Sequence, residues 1–313
     1  MMRWSYSASR TFRKCQRQWY FKNVVANGRA KEPVRRRAYL LSKLQTVSAW
    51  RGQIVDDVIS KVIVPGVNRR SPVMLSDAKA LARDRYDRQL EFALRHPLND
   101  PDLRVGEEGD EFCLLYGMEY GSPPSEDELE QAWREVEQAL ANLYSMDAVR
   151  SALKTSEYVI AQRPLQVPLI EGVTTISYPD VIAFRKAEPP IIIDWKVHVF
   201  GENDAWLQLA IYAIALSRSK HKDFPADFGC TPDQVRLLEV QLLTGLVREH
   251  RLDVDQMEDA EEYAVDSAYE MYCLVDERKN VDVDAEDFLP AVSAETCQTC
   301  QFRSLCWEKV NAN

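Results

Sequence analysis

The chain has 313 residues, 39 Lys+Arg against 49 Asp+Glu, and seven cysteines. A 46% hydrophobic and 10% aromatic content supplies a real core and excludes wholesale disorder, while no apolar run approaches the roughly 18 residues of a membrane span. The first residues lack the apolar stretch of a signal peptide, so a cytoplasmic protein of two domains, or of one large decorated domain, is expected. In that compartment an odd cysteine count points to metal ligands or free thiols rather than disulfides.

The net charge of −10 hides an asymmetry. Residues 1–51 hold 13 basic side chains and one acid, Glu32, whereas the remaining 262 residues hold 26 basic and 48 acidic ones. Such a basic segment is either an arm or face for a polyanion or a counterweight to the acidic body; charge alone leaves both open.

In chain order, Ser5, Ser7 and Ser9 offer N-caps for a helix to about residue 22. On it Phe12, Cys15 and Trp19 share one face, and Arg10, Arg13, Lys14 and Arg17 crowd another. Residues 23–37, with Gly28, Pro33 and the triplet Arg35-Arg36-Arg37, read as a basic loop, and residues 40–62, with Trp50 and Gly52, as a second helix. Ser76 is the expected N-cap of a polar amphipathic helix that ends at His96-Pro97. Residues 97–127 read as loop, and Ser125-x-x-Glu128 forms a capping box for a helix to about residue 153. The texture then changes. Residues 158–170, 173–185 and 190–197 read as three consecutive strands, followed by a helix over 203–217 that is apolar on nearly all sides. Residues 235–243 and 245–253 read as further strands; residues 252–289, with 14 acids and two bases, contain an acidic helix before a cysteine-rich tail. Helix, three strands, helix, strand indicates an α/β or α+β fold with added helices.

Three groups of residues carry chemistry. Asp180, in Tyr178-Pro179-Asp180, lies in phase with Ile182 and Phe184 on an apolar face, where a lone carboxylate is costly to ionise unless a cation or hydrogen bonds compensate it. On the next strand the period of two puts Asp194 and Lys196 on one face. Two acids and a lysine on neighbouring strands suit a Mg²⁺ or Mn²⁺ site with a fixed positive charge beside it, or else a buried ion pair that braces the strands. Gln208 and Tyr212, at i and i+4 on the apolar helix, share a face that can point back at this cluster. Finally, Cys297-x-x-Cys300 and Cys306 have the close spacing of metal ligands, with Cys15, Cys113, Cys230 and Cys273 as candidates for a fourth. Spacing does not choose between zinc and an iron–sulfur cluster.

The ordered set Ser5-Tyr6-Ser7, Phe12-x-x-Cys15, Trp19-Tyr20, Trp50-x-Gly52, Asp180, Asp194-Trp195-Lys196, Gln208-x-x-x-Tyr212 and Cys297-x-x-Cys300-x5-Cys306 resembles the PD-(D/E)XK nucleases of the RecB/AddB and CRISPR-adaptation type that hold a [4Fe-4S] cluster. The resemblance covers both ends and the 157–215 core. It implies a restriction-endonuclease-like mixed sheet flanked by helices, with helical insertions and an iron–sulfur staple joining the terminal segments. The parts would be a basic N-terminal segment (1–62), a helical insertion (63–153), a nuclease core (154–253), and an acidic helix with the tail (254–313).

The same resemblance implies roles. Asp180 and Asp194 would bind catalytic Mg²⁺ or Mn²⁺, with the Trp195 carbonyl as a further ligand. Lys196 would orient or activate water and stabilise developing charge, Gln208 and Tyr212 would position DNA and the lysine, and Cys15, Cys297, Cys300 and Cys306 would bind the cluster. Arg10, Arg13, Lys14, Arg17, Arg35, Arg36 and Arg37 would hold DNA. The family usually places a metal-binding histidine shortly after Trp-x-Gly; here Asp56 or Asp57 stands there. A glutamate common in the strand before the catalytic aspartate has no clear match; Glu157 and Gln162 both stand near its place. The expected activity is metal-dependent hydrolysis of DNA, on single strands or ends, in repair, recombination or defence. The alternative is a non-catalytic DNA-binding subunit of a helicase–nuclease or defence complex. No Gly-x4-Gly-Lys-Ser/Thr loop is present, so a helicase motor would be another chain.

Overall fold

The computed structural model describes residues 2–100, 103–197, 205–225, 228–275 and 283–310. Its strands are β1 (Met2–Trp4), β2 (Leu44–Gln45), β3 (Leu114–Leu115), β4 (Tyr158–Ala161), β5 (Leu165–Ile170), β6 (Val173–Ser177), β7 (Val181–Arg185), β8 (Glu188–Lys196), β9 (Arg236–Gln241) and β10 (Leu246–His250). The helices are α1 (Tyr6–Lys14), α2 (Gln16–Tyr20), α3 (Pro33–Leu41), α4 (Val47–Val58), α5 (Val64–Asn68), α6 (Leu75–Leu94), α7 (Val105–Glu108), α8 (Tyr116–Glu119), α9 (Glu126–Ser145), α10 (Asp147–Thr155), α11 (Ala205–Arg218), α12 (Val254–Val275), α13 (Ala294–Gln298) and α14 (Arg303–Val310). No described helix is long and apolar enough to cross a membrane.

The central sheet has the order β10-β9-β8-β7-β4 and is mixed. β4, β7 and β8 pair antiparallel, β8 and β9 parallel, β9 and β10 antiparallel. A parallel neighbour needs a crossover, and α11 supplies it between β8 and β9. The period of two then sorts the side chains. Val181, Ala183, Ile191, Ile193 and Trp195 face a core shared with α4, α6, α9 and α10. Ile182, Phe184 and Ile192 face α11, whose Leu209 to Leu216 are all buried.

A second sheet, β1-β6-β5, stitches the N-terminus to mid-chain: β1 runs parallel to β6, with Trp4 opposite Thr175. Behind it a third core joins Trp4, Phe12, Trp19 and Phe21 to Ala268 and Met271 of α12 and to Phe288 and Phe302 of the tail. Trp4 is fully buried, and its Nε1 donates to Ser267 Oγ at 3.1 Å.

Several expected elements divide. The strand expected over 158–170 is β4 and β5, and that over 173–185 is β6 and β7, which belong to different sheets. The cause of the second division is Pro179, which lacks the N–H a central strand needs; Ile176 and Tyr178 are therefore not on one strand with Asp180. Gly172, with a φ of 80°, makes the turn between β5 and β6. The first helix breaks at Cys15, extended at φ −164°, which ends α1 and caps α2. Residues 33–41 are helical rather than loop, because Pro33 sits in the first turn and Glu32 caps it by accepting from the amides of Val34 and Arg35. Met74, not Ser76, is the N-cap of α6. Ser125 does cap a helix, accepting from Glu128 N, but that helix ends at Ser145 and α10 follows. Residues 203 and 204, expected to open the helix after β8, lie outside the described residues.

Phe302 is fully buried and its ring stacks on Phe21 at 5.8 Å. Phe302→Ala should cost about 3–5 kcal/mol, the usual penalty for emptying a buried aromatic site. Urea unfolding should report that loss, and limited proteolysis should find the tail cut first.

Candidate active site

Groups from α4, the turn after β4, the residue before β7, β8 itself and α11 meet at the C-terminal end of β8. Asp180 precedes β7, and it is half-buried: Oδ2 accepts from the Trp195 amide at 2.8 Å and Oδ1 from Gln162 Nε2 at 3.0 Å. Gln162 Nε2 also donates to Asp56 Oδ1 on α4 at 2.9 Å, so one amide group bridges two carboxylates. Gln162 reaches this place because it turns out of β4 with a φ of 50°, and its backbone N–H donates to Asp180 O at 3.0 Å. A side-chain-bearing residue in that left-handed region costs roughly 1–3 kcal/mol and concentrates at functional sites.

Asp194 and Lys196 share the α11 face of β8, as the alternation requires. Asp194 is 2% exposed, and Lys196 Nζ lies 2.5 Å from its Oδ2. Lys196 Nζ also donates to Gln208 Oε1 at 3.4 Å, and Gln208 Nε2 donates to Tyr212 Oη at 2.6 Å. One turn of α11 thus forms a relay ending on the lysine, and Asp56, Asp180, Asp194, Lys196, Gln208 and Tyr212 form one constellation.

Its electrostatics follow from burial and crowding. Desolvation first, then the charges of Asp194 and Asp56, push the Asp180 carboxyl well above the usual range, against the pull of Lys196. Desolvation raises Asp56 to about 6, although its hydrogen bond from Gln162 opposes the rise. Burial alone would lower Lys196, but Asp194 and then Asp180 outweigh it, so the ammonium is held charged. Burial and the two aspartates raise Tyr212 well above its ordinary value, leaving a neutral phenol. Crowded carboxylates beside a fixed cation are the donor set that a divalent ion relieves. No group of three or more His, Cys, Asp or Glu among the described residues stands in single-ion geometry; the Gln162 amide holds Asp56 and Asp180 instead.

Of the two aspartates after Gly52, Asp56 enters the site. Asp57 is engaged by Arg85 Nη1 at 2.5 Å and Lys61 Nζ at 3.1 Å. Glu157 is exposed, its amide donating to Phe184 O, whereas Gln162 sits between the carboxylates.

The cysteines form a second cluster. Cys15, Cys297, Cys300 and Cys306 line one cavity, together with Arg17, Phe21 and Phe302. Cys15 Sγ accepts from Gln18 N and Cys300 Sγ from Phe302 N, both at 3.4 Å. Burial pushes Cys300 up to about 11, reinforced by the other three thiols. Cys113, Cys230 and Cys273 are not among the lining residues.

The basic residues diverge. Arg10, Arg13 and Lys14 are exposed on α1, with the Arg13 guanidinium 4.6 Å from the Tyr263 ring centroid. Arg17 Nε donates to Phe288 O at 2.9 Å. Arg35 Nε turns back to Val25 O at 3.2 Å, Arg36 Nη2 donates to Leu103 O at 2.7 Å, and Arg37 pairs with Glu119.

The sequence reading overlooked two groups. Glu239 lies beside Asp194 across the parallel pairing and is 2% exposed; His250 Nε2 is 2.9 Å from its Oε2. Arg51, hidden between Trp50 and Gly52, is buried, pairs with Glu135 of α9, and donates to Val197 O, one residue past Lys196. Its only sequence signal is its place inside Trp-x-Gly.

A family model described as the PD-(D/E)XK nuclease superfamily matches residues 3–307. The solved crystal structure of SSO0001 is similar at 15% identity with a TM-score of 0.30, over 72% of this chain and 96% of that one; so distant a likeness carries no argument. No curated protein matches the chain.

Removing one partner of a buried ion pair costs about 3–5 kcal/mol, because the other charge is left uncompensated. Arg51→Met should approach that loss in denaturant unfolding. Glu135→Gln, at the more exposed end of the pair, should lose clearly less.

Proposed function

Because the chain belongs to the PD-(D/E)XK nuclease superfamily, we propose that it is a metal-dependent deoxyribonuclease whose site is Asp56, Asp180, Asp194, Lys196, Gln208 and Tyr212. The observation that carries this reading is the crowding of half-buried Asp180 and buried Asp194, with Lys196 Nζ 2.5 Å from Asp194 Oδ2 and held charged at their side. A structural brace needs one carboxylate for one lysine. Here a second and a third carboxylate crowd the same place, at an electrostatic cost that a bound cation would offset.

Asp180 and Asp194 would hold Mg²⁺ or Mn²⁺, with Asp56 and the Trp195 carbonyl as further ligands. Such an ion supplies a water of lowered pKa and charge stabilisation at the scissile phosphate. The chain's own groups do the rest. Lys196, kept protonated by Asp194 and aimed by Gln208, donates to the phosphoryl oxygen that gains charge in the transition state. Tyr212, a neutral phenol, fixes the Gln208 amide so that its oxygen faces the lysine. Gln162 would release Asp56 and Asp180 when they turn to the ion.

The substrate we favour is single-stranded DNA or a DNA end. Asp180 and Asp194 are recessed, and of the pair Asp194–Lys196 only the lysine side chain is appreciably exposed, at 22%, so a flexible strand reaches them more readily than a relaxed duplex. The exposed Arg10, Arg13 and Lys14 offer sequence-tolerant, salt-sensitive backbone contacts. The four thiols around one cavity would hold a [4Fe-4S] cluster that clamps the start of the chain to its tail. The fit rests on the donor set: four cysteines around one cavity, one from the N-terminal helices and three from the tail, two of them already accepting backbone N–H bonds. The partner we favour besides DNA is a helicase or defence-complex protein, and the assay below uses the chain alone.

Digestion of 5′- and 3′-labelled single- and double-stranded DNA with Mg²⁺ or Mn²⁺ tests the reading. Lys196→Ala and Asp180→Ala should each lose at least about 100-fold in rate while still binding DNA. Unchanged cutting by both variants would refute the site, and DNA binding by wild type without any metal-dependent product would instead favour a non-catalytic subunit. For the tail, protein purified without oxygen should be brown and carry iron and sulfide, and Cys297→Ser should lose both. A colourless protein with stoichiometric zinc would reject the cluster.

A further inference from the structure

Between the cysteine cavity and the helical insertion stands one side chain, Arg303, the first residue of α14. It lines the cavity with the four thiols, and on its other side it meets the insertion at α8. Its guanidinium carbon lies 4.0 Å from the Tyr120 ring centroid and 5.7 Å from that of Tyr116, two rings that are 4.7 Å apart. The Trp307 ring, one turn further along α14, is 6.0 Å away. Aromatic faces attract a cation through their quadrupoles, and hydrogen bonds fix this one further. Arg303 Nη1 donates to Gln298 O at 2.7 Å and Nη2 to Tyr120 O at 3.4 Å.

The hydroxyl groups of the same two tyrosines grip the tail. Tyr116 Oη donates to Gln298 O at 2.6 Å, and Tyr120 Oη donates to Gln301 O at 2.7 Å. Gln298 lies inside Cys297-x-x-Cys300. Its carbonyl accepts from both a phenol and a guanidinium, which uses both of its lone pairs. Gln301 follows Cys300 directly. The turn that presents two of the four thiols is therefore fastened from outside by the insertion.

The charge of the cavity gives that fastening a purpose. Cysteines ligate metal as thiolates. Four of them around a dipositive core keep a net negative charge, whether the core is zinc or a cube of iron and sulfide. A negative centre drawn out of water needs a cation beside it. The described residues that line the cavity include Arg17 and Arg303 and no Asp or Glu. Arg17 serves the Cys297 side: burial and the neighbouring thiols raise Cys297, and the Arg17 charge opposes them. Arg303 serves the Cys300 side. Burial raises the Tyr116 phenol, Arg303 opposes that rise and Cys300 adds to it, so guanidinium and thiol both lie close to one ring.

We propose that Arg303 is the positioning and charge-compensating residue of the tail metal centre, and that Tyr116 and Tyr120 hold it in that place. The inference rests on the four-thiolate reading above. A fixed positive charge favours the reduced, more negative state of such a centre. A cysteine turn held by two phenols and a guanidinium also opens less often to release its metal.

The test uses the full chain purified without oxygen. It reads iron and sulfide content, loss of visible absorbance in EDTA, and midpoint potential by optical titration. Arg303→Met should bleach at least about tenfold faster than wild type. Its reduction should be about tenfold less favoured, which for a one-electron couple is a potential about 59 mV lower. Arg303→Lys keeps the charge without the fork, so it should bleach faster and hold the wild-type potential. Tyr116→Phe/Tyr120→Phe keeps both rings and loses both hydroxyls, and it too should bleach faster. Arg83→Met removes a cation stacked on Tyr86 and Trp133 and should match wild type in both readouts. Wild-type behaviour of Arg303→Met would overturn the proposal. An equal fall in potential in Arg303→Lys would overturn it as well, by reducing the effect to packing. Should Arg303→Met not fold, unchanged bleaching of the Phe pair overturns it. A wild type that carries zinc would bring down the cluster alone, and zinc capture by EDTA should then follow the same order of variants. A wild type with no bound metal would bring down the four-thiolate reading and this proposal with it.

Discussion

Burying a carboxylate is the constraint around which this fold is arranged. Asp194 is 2% exposed and Asp180 half-buried beside it, and an ionised carboxylate in such a place is stable only with donors or a cation aimed at it. The compensating groups come from two distant parts of the chain: the Trp195 amide and the neighbouring Lys196 charge from the end of β8, and the Gln162 amide from the turn after β4. The antiparallel pairing of β7 with β4 and β8 is what brings these together. The crossover forced by the parallel β8–β9 pair lays α11 over the same strand end and delivers Gln208 to the lysine. The site is thus a consequence of sheet topology: changing any one strand pairing would strand a buried charge.

The second organising feature is the closure of the chain on itself. β1 pairs with β6, α1 packs on α12, and the aromatic core joins Phe21 to Phe302. Such long-range closure is entropically costly to form. The basic segment therefore docks in part on the acidic one, as the Arg13–Tyr263 contact and the Ser9–Ser267 bond show, yet Arg10, Arg13 and Lys14 keep exposed side chains and form no ion pair with a described acid. Charge balance and polyanion binding are not exclusive here: the apolar and hydroxyl faces of α1 make the contact, and the guanidinium face is left to solvent.

What the sequence made legible was local chemistry with a short period. Asp194 and Lys196 share a face because strands alternate, and Gln208 and Tyr212 because helices repeat near four; both held. Asp180 lies just before β7, after Pro179, and is placed by its bonds to Gln162 and the Trp195 amide. Less legible was anything decided by partners far along the chain. The split between β6 and β7 depends on which sheet each joins. The helix over 33–41 depends on reading Glu32-Pro33 as a cap and first turn, when three arginines and a glycine suggest loop. Asp56 and Asp57 are indistinguishable by composition; Arg85 and Lys61, reached through α6 and the next turn of helix, capture the second and leave the first for Gln162. Arg51 was invisible because a buried arginine is defined by its partners, Glu135 and Val197 O, neither of which is near it in sequence.

Those two contacts bear on how the helical insertion works. α9 of the insertion and α4 of the N-terminal segment pack in one core with the sheet, and the Arg51–Glu135 pair fastens α9 to the residue just beyond Lys196. Asp57 with Arg85 fastens the same α4 to α6, and Lys61, in the helical turn that follows α4, pairs with Asp57 and with Asp110 before β3. Asp56 lies between these two anchors. A helix pinned by buried ions on both sides of one residue has little freedom to slide, so the carboxylate it carries is fixed relative to Asp180 before any cation arrives. Pre-positioned charge of this kind needs no reorganisation at the moment of reaction, and here the rigidity comes from the insertion's own packing against α4.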